Sequence, residues 1–193
     1  MESGSSGGRG RIEMLSLEDA RKAAALAGLP PRMAELSVFR MLLRHPKLAQ
    51  ALNGTLGTLL AGEHLDARLR ELVIMRIGWR TASVYEWTQH WGVARVIGMS
   101  EQEILGVRDW RRCKDYGLAE RAVLTATDET IDMGTISRET WADCEKQLRS
   151  PEALLELVAA IGNWRLFSSL LRSLEVPLEE GKAPWPPDGA APA

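Results

Sequence analysis

Helical periodicity punctuated by capping residues constrains this chain more than any other feature. It is sharpest over Asp66 to Gly98, DARLRELVIMRIGWRTASVYEWTQHWGVARVIG. Asp66 can accept hydrogen bonds from the first free amides of a helix, and Leu69, Leu72, Val73 and Ile77 follow at helical spacing. Thr81, Ala82 and Ser83 supply a turn and an N-cap for a second helix. That helix is predicted from about Val84 to Ile97, ending at Gly98. At ~100° per residue, Val84, Trp87, Trp91 and Ala94 form one of its stripes, and Glu86, His90, Val93 and Ile97 another. Glu86 and His90 are four residues apart and therefore neighbours on the helix surface. The apolar company of Val93 and Ile97 predicts partial burial of that stripe. A carboxylate beside an imidazole in such surroundings is equipped for proton transfer, although the same spacing also describes an ordinary surface Glu–His pair.

The remaining chain reads the same way. Ser16 followed by Asp19 opens a helix that Gly28 ends. After Leu29, Pro30 and Pro31, a helix is predicted over Arg32 to Arg44, with Met33, Leu36, Phe39, Met41 and Leu43 as its apolar residues. His45–Pro46 ends it, because the residue before proline is turned away from the α region. Pro46 suits the first turn of the next helix. Ser100 and Glu103 open a short helix reaching about Arg112, and Gly117 precedes one carrying Leu118, Ala122, Val123 and Ala126. Ser137 caps a helix through about Leu148, and Ser150–Pro151 begins a long one with Leu154, Leu157, Val158, Ile161, Trp164 and Leu171. No segment alternates like a strand. The expected architecture is an all-α bundle of about eight helices, one domain over residues 11–177. Residues 1–10, rich in Gly and Ser, read as a flexible leader or tag, and residues 178–193, rich in Pro, Gly and Ala, as a loosely held tail.

Charge and motif content narrow the function classes. Lys and Arg total 24 against 26 Asp and Glu, a net charge of −2, and the signs are interleaved. That is no electrostatic footprint for nucleic acid. No uninterrupted apolar run of ~18 residues and no signal-peptide core stand out, so neither a membrane span nor secretion is expected. The two cysteines, Cys113 and Cys144, form no CxxC pair, which suits a reduced cytoplasmic setting. There is no GxGxxG, P-loop, HExxH or zinc-type cluster, so neither a metal nor a cofactor is expected.

Two pieces, RLRELVIMRIGWR and VYEWTQHWGVARVIGMSEQEI, resemble the carboxymuconolactone decarboxylase family, which includes the AhpD-like alkylhydroperoxidases. A weaker, collinear likeness extends from about Glu35 to Gly181. The resemblance implies an AhpD-like helical bundle, a small-molecule substrate and assembly as homo-oligomers, trimers or hexamers. Peroxidase members use a Glu, a CxxC pair and a following His. Alignment on His90 puts Glu71 at the glutamate, but the two cysteine positions fall on Ser83 and Glu86. Serine and glutamate cannot cycle through a disulfide, which disfavours thiol-dependent peroxide reduction.

What the resemblance leaves is the acid–base chemistry of the decarboxylase members, run without a cofactor. In that reading His90 is the acid/base, Glu86 its partner or modulator, and Glu71 a second carboxylate facing it from the preceding helix. Tyr85 and Ser83 are candidates to donate hydrogen bonds to a substrate oxygen, and Arg76 to meet a substrate carboxylate. The alternatives are a redox protein and a non-catalytic oligomeric binding module. Trp79, Trp87 and Trp91 are expected as core or subunit-contact anchors, and Trp164 as the tryptophan best placed to approach a pocket.

Overall fold

Residues 10–192 are described by the computed structural model; residues 1–9, which make up all but Gly10 of the expected leader, and residue 193 lie outside it. Among the described residues the chain forms nine α-helices and no strand. They are α1 (Leu17–Leu26), α2 (Ser37–Leu42), α3 (Pro46–Leu60), α4 (Ala67–Arg80) and α5 (Val84–Val96). There follow α6 (Glu101–Gly106), α7 (Leu118–Met133), α8 (Arg138–Leu148) and α9 (Pro151–Ser173). Four of the expected N-caps act as their positions suggest. Ser16, Ser100 and Ser137 accept the amide protons of Asp19, Glu103 and Thr140 at 3.0, 3.1 and 3.2 Å. Asp66 accepts those of Arg68 and Leu69 at 2.9 and 3.1 Å. Removing one such cap typically costs ~1 kcal/mol.

Two helices are shorter than their periodicity suggests. The helix expected over Arg32 to Arg44 is a 3-10 segment, Pro31–Glu35, followed by α2, with Leu36 extended between them (φ −85°, ψ 128°). The apolar residues of this stretch do not share one helical stripe. The break at Leu36 resets the phase, so that Ala34, Val38, Phe39, Met41 and Leu42 are all buried. The helix after Ser100 likewise tightens into a 3-10 turn at Val107–Asp109.

The chain groups into two compact units. One comprises the described part of Met1–Thr58 with Ser169–Lys182, and the other Leu59–Ser168 with the described part of Ala183–Ala193. In the first, the Arg11 guanidinium donates to Glu175 at 3.0 Å and Glu179 accepts the Ser37 amide proton at 2.9 Å.

The second unit is built around α4, which packs against α5 and α7, while α7 packs against α8. Every residue from Leu69 to Gly78 is buried. Leu72, Val73, Ile74, Met75 and Ile77 are wholly enclosed, each worth about 1.5–3 kcal/mol of apolar transfer. A helix enclosed on all sides must find partners for its charged residues, and Arg70, Glu71 and Arg76 are buried with it. In α9, Leu157, Ile161, Trp164 and Phe167 are buried. Among the described residues α9 is the one helix long and apolar enough to cross a membrane, but half of its apolar window is buried within the protein, as in a core helix.

The C-terminal segment departs from expectation. It is not loosely held: Trp185 packs edge-on against Trp79 with centroids 6.1 Å apart, and the Trp87 indole donates to the Pro186 carbonyl at 2.8 Å. Arg108 grips Asp188 through both terminal nitrogens at 2.7 and 2.9 Å. Pro, Gly and Ala content describes the spacer residues correctly and misses the two side chains that dock.

Candidate active site

The turn Thr81–Ser83 brings the start of α5 back against the end of α4. Ala82 takes a left-handed conformation (φ 53°), and the Ser83 amide donates to the Gly78 carbonyl at 2.9 Å. Gly78 permits the close approach: a Cβ there would lie 3.2 Å from the Trp87 backbone nitrogen. This contact lets α5 present His90 to Glu71, which lies about two turns before Gly78 on α4.

His90 Nδ1 lies 2.7 Å from Glu71 Oε2, and the Trp164 indole Nε1–H donates to His90 Nε2 at 3.1 Å. These two contacts fix the tautomer. An indole N–H can only donate, so Nε2 carries the lone pair and Nδ1 the proton, which it donates to Glu71. Glu71 is fully enclosed and His90 is 14% exposed at its side chain. Glu71 Oε1 accepts no hydrogen bond among the described residues; its nearest cation is Arg70, whose Nε stands 3.7 Å away, beyond hydrogen-bond range. Arg70 Nη1 donates to the Leu59 carbonyl at 3.3 Å, which turns the guanidinium away from a tighter pairing.

Glu86 is not paired with His90, although the two are one helical turn apart. Its carboxyl group is buried next to α4, and the Cβ position of Gly78 lies 3.7 Å from Glu86 Oε1. Neither of its oxygens has a hydrogen-bond partner among the described residues. Burial pushes its pKa well above the ordinary carboxylate range, so the neutral acid is favoured. The helical-neighbour argument gave His90 the wrong carboxylate, and the family alignment, which put Glu71 opposite His90, gave the one that contacts it.

The other expected site residues divide. Ser83 is buried at the N-terminus of α5, and its hydroxyl has no partner among the described residues and caps nothing. Tyr85 is buried on the same turn. Arg76 is elsewhere: it donates to both oxygens of Asp128 at 2.7 and 2.8 Å and to the carbonyl of Val107 at 2.7 Å. With four of its five N–H donors committed to Asp128 and to the turn after α6, and its side chain only 6% exposed, it is an internal anchor and not a partner for a substrate carboxylate. Periodicity could not reveal this, because the partner lies 52 residues away.

Trp164, expected to approach a pocket, donates its indole proton to His90. Arg70 is the neighbour that residue-type reasoning overlooked, although it stands beside Glu71 in sequence. Of the α5 stripe only the first half is enclosed: Val93 and Ile97 are 38% and 40% exposed.

A sequence model of the carboxymuconolactone decarboxylase family matches residues 46–129, the stretch from α3 to α7 that carries Glu71, Glu86 and His90. That stretch, less than half of the chain, is carboxymuconolactone decarboxylase-like in sequence. The chain's fold agrees with solved structures. The alkylhydroperoxidase AhpD core of an uncharacterized peroxidase-related protein from Ralstonia eutropha JMP134 superposes with a TM-score of 0.72 at 14% identity, covering 90% of this chain and 94% of that one. An uncharacterized peroxidase-related protein from Silicibacter sp. TM1040 gives 0.69 at 11%, covering 94% and 98%. The debrominase Bmp8, solved with 2,3,4-tribromopyrrole, gives 0.67 at 18%, covering 85% and 86%. At these identities the likeness is one of fold. No curated protein matches the chain.

The site has no CxxC pair. Cys144 lies on α8, wholly buried, and burial pushes its thiol up to about 11, which leaves little thiolate. Cys113 lies in the loop before α7. Neither occupies the position of Ser83 or Glu86.

Proposed function

We propose that the chain is a cofactor-free acid–base enzyme acting on a small carboxylated or lactone-type compound, by decarboxylation or a related proton transfer. The observation that carries this reading is the Glu71–His90 contact, which leaves Nε2 as the ring's acceptor, covered by the Trp164 indole. A carboxylate behind Nδ1 orients the imidazole and stabilises the imidazolium formed when Nε2 takes a proton. Trp164 holds that lone pair in the absence of substrate, and a substrate proton donor takes its place. The neutral carboxyl of Glu86 is the second proton carrier.

In a decarboxylation the C–CO2 bond breaks and its electron pair moves onto the conjugated carbonyl as an enolate. Glu86 can donate a hydrogen bond to that oxygen, and the His90 imidazolium, formed by taking a proton from solvent, delivers that proton from Nε2 to the carbon that lost CO2. Ser83 and Tyr85 on the same turn of α5 are suited to holding substrate oxygens. The tribromopyrrole bound by the debrominase is likewise a small ring compound, in keeping with a substrate of this size.

The test is release of CO2 from a panel of γ-lactone acids, with His90→Ala as control. Turnover that disappears in the variant supports the assignment, and full turnover without His90 ends it.

A second reading has one observation in its favour. Both ring nitrogens of His90 are engaged internally, as they would be in a catalytically silent scaffold that binds a partner or another copy of itself. The exposed apolar residues Val93 and Val96 of α5 and Ile97 just after it are in keeping with assembly as a homo-oligomer. Light scattering reporting a clean monomer would remove that support.

A further inference from the structure

On the neighbouring stripe of α5, the second unit contains an aromatic and cationic cluster covered by the chain's own C-terminal segment. Trp79 of α4 and Trp87 of α5 lie with ring centroids 5.3 Å apart. The Arg108 guanidinium sits over both, 4.6 Å from the first ring and 5.0 Å from the second. A cation against aromatic faces is a stable arrangement, and it leaves the planar edge of the guanidinium free for a bidentate acceptor. Arg108 Nε is buried and has no hydrogen-bond partner among the described residues.

The occupant has three parts. The Trp185 ring packs 6.0 Å from Trp87 and 6.1 Å from Trp79. The Pro186 carbonyl accepts the Trp87 indole proton at 2.8 Å, and the Asp188 carboxylate takes both terminal nitrogens of Arg108. The residues on either side, Ala183, Pro184, Pro187 and Gly189, are exposed, so the segment is held by these few contacts. Trp185 itself is in the left-handed region (φ 53°), which a bulky residue adopts only where contacts hold it there.

A ring, a carbonyl oxygen and a carboxylate presented together are the features of an aryl-substituted carboxylic acid. We propose that Trp79, Trp87 and Arg108 form a binding site for an aromatic carboxylate, and that Trp185 to Asp188 is a tethered stand-in that a free ligand displaces. The site uses neither His90 nor Glu71 nor Glu86, and so stands independently of the acid–base reading. A segment tethered this closely competes at an effective concentration on the order of mM. A free acid therefore binds weakly to the intact chain and more tightly once the stand-in is disabled.

The probe is 4-fluorophenylacetate, followed by 19F NMR titration of the full-length protein, with 4-fluorobenzyl alcohol as the ring without the carboxylate. The double variant Trp185→Ala/Asp188→Ala is expected to bind the acid at least ~10-fold more tightly than the unaltered chain, while the alcohol gains nothing. Adding Arg108→Met abolishes the gain; adding His90→Ala instead leaves it intact, which separates this site from the candidate active site. Asp188→Asn keeps the ring and the fold-supporting contacts, and is expected to give a smaller gain, about 3-fold. Equal affinity in the unaltered and double-variant proteins overturns the proposal. So does a gain that survives Arg108→Met, a gain lost with His90→Ala, equal improvement for the alcohol, or no change with Asp188→Asn.

Discussion

Helix α4 carries buried charge on two sides, and the two sides are finished differently. Toward α7, Arg76 and Asp128 meet through two short hydrogen bonds, and the spare capacity of Asp128 is taken by the Trp110 indole at 3.0 Å and by Arg80 and Arg111 at 3.0 and 3.2 Å. Toward α5, Glu71 has one hydrogen-bonded oxygen and one bare one, and both oxygens of Glu86 and the hydroxyls of Ser83 and Thr88 have no partner among the described residues. Buried polar groups are ordinarily satisfied, because each orphan costs about 1–3 kcal/mol. Helix α4 thus has a satisfied side and an open one, and the proposed chemistry uses the open one.

The largest expected effect is on the satisfied side. Asp128→Ala strands Arg76 in a setting where its side chain is 6% exposed, and should cost about 3–5 kcal/mol in urea unfolding. The double replacement Arg76→Met/Asp128→Leu should cost less, since no charge is left buried alone. Burial alone would raise the Asp128 pKa, but the hydrogen bonds and charges of Arg76, with the Trp110 and Arg80 contacts, outweigh it and hold the carboxyl below its ordinary 3.8. Its contribution to stability is therefore complete above that ordinary value and is lost as pH falls through the folded value. Loss of under 1 kcal/mol from Asp128→Ala would erase the contrast between the two sides.

Next come substitutions on the open side, where activity should fall and stability should not. His90→Ala is expected to lower turnover by roughly 10²–10⁴, the range of general acid–base catalysis. Glu71→Gln preserves the shape of the contact but removes the charge that stabilises an imidazolium, and should lower turnover with little change in the unfolding midpoint. If either variant loses folding stability on the scale of Asp128→Ala while turnover per folded molecule is kept, the open side is structural after all.

The contrast also explains what could be read in advance. Caps such as Ser16, Asp66 and Ser137 were legible because donor and acceptor lie within three residues. The stripe through Glu86 and His90 was legible as a helix face, but periodicity cannot say which neighbouring helix covers it. It therefore joined His90 to Glu86, when the turn at Ala82 folds α5 onto Glu71. Arg76 was misread for the same reason, its partner being fixed by the packing of α4 on α7. In the C-terminal segment the one usable sign was Trp185, a large aromatic side chain among small ones, and composition averaged it away.

A smaller effect is expected in the pH dependence of stability. The Glu86 carboxyl, raised well above 4.5 by burial, binds its proton in the folded chain at pH values where the unfolded chain has released it. Stability from this group is thus complete below the unfolded value and declines as pH rises toward the folded one. Glu86→Gln removes the titration while keeping the volume. Thermal melts should show its midpoint a few degrees above that of the unaltered chain at alkaline pH, converging at acid pH. Parallel curves for the two proteins would show that Glu86 is not held as a neutral acid, and would remove the second proton carrier from the proposed chemistry.

The smallest effect concerns a single proton. With Trp164 donating to Nε2, 15N NMR of the imidazole should show the proton on Nδ1 and an unprotonated, hydrogen-bonded Nε2. Trp164→Phe removes the indole N–H; the Nδ1–H contact to Glu71 should hold the tautomer, while the Nε2 resonance moves toward that of a free imine nitrogen. A proton found on Nε2 in the unaltered chain would leave the ring no lone pair for a substrate. The same variant also tests what Trp164 does. If it merely covers the lone pair, Trp164→Phe should keep its turnover, because the substrate displaces the indole in any case. If it positions the ring in the reacting complex, turnover should fall while the tautomer is unchanged. The spectrum and the rate together thus separate a closed, silent site from one covered only until substrate arrives.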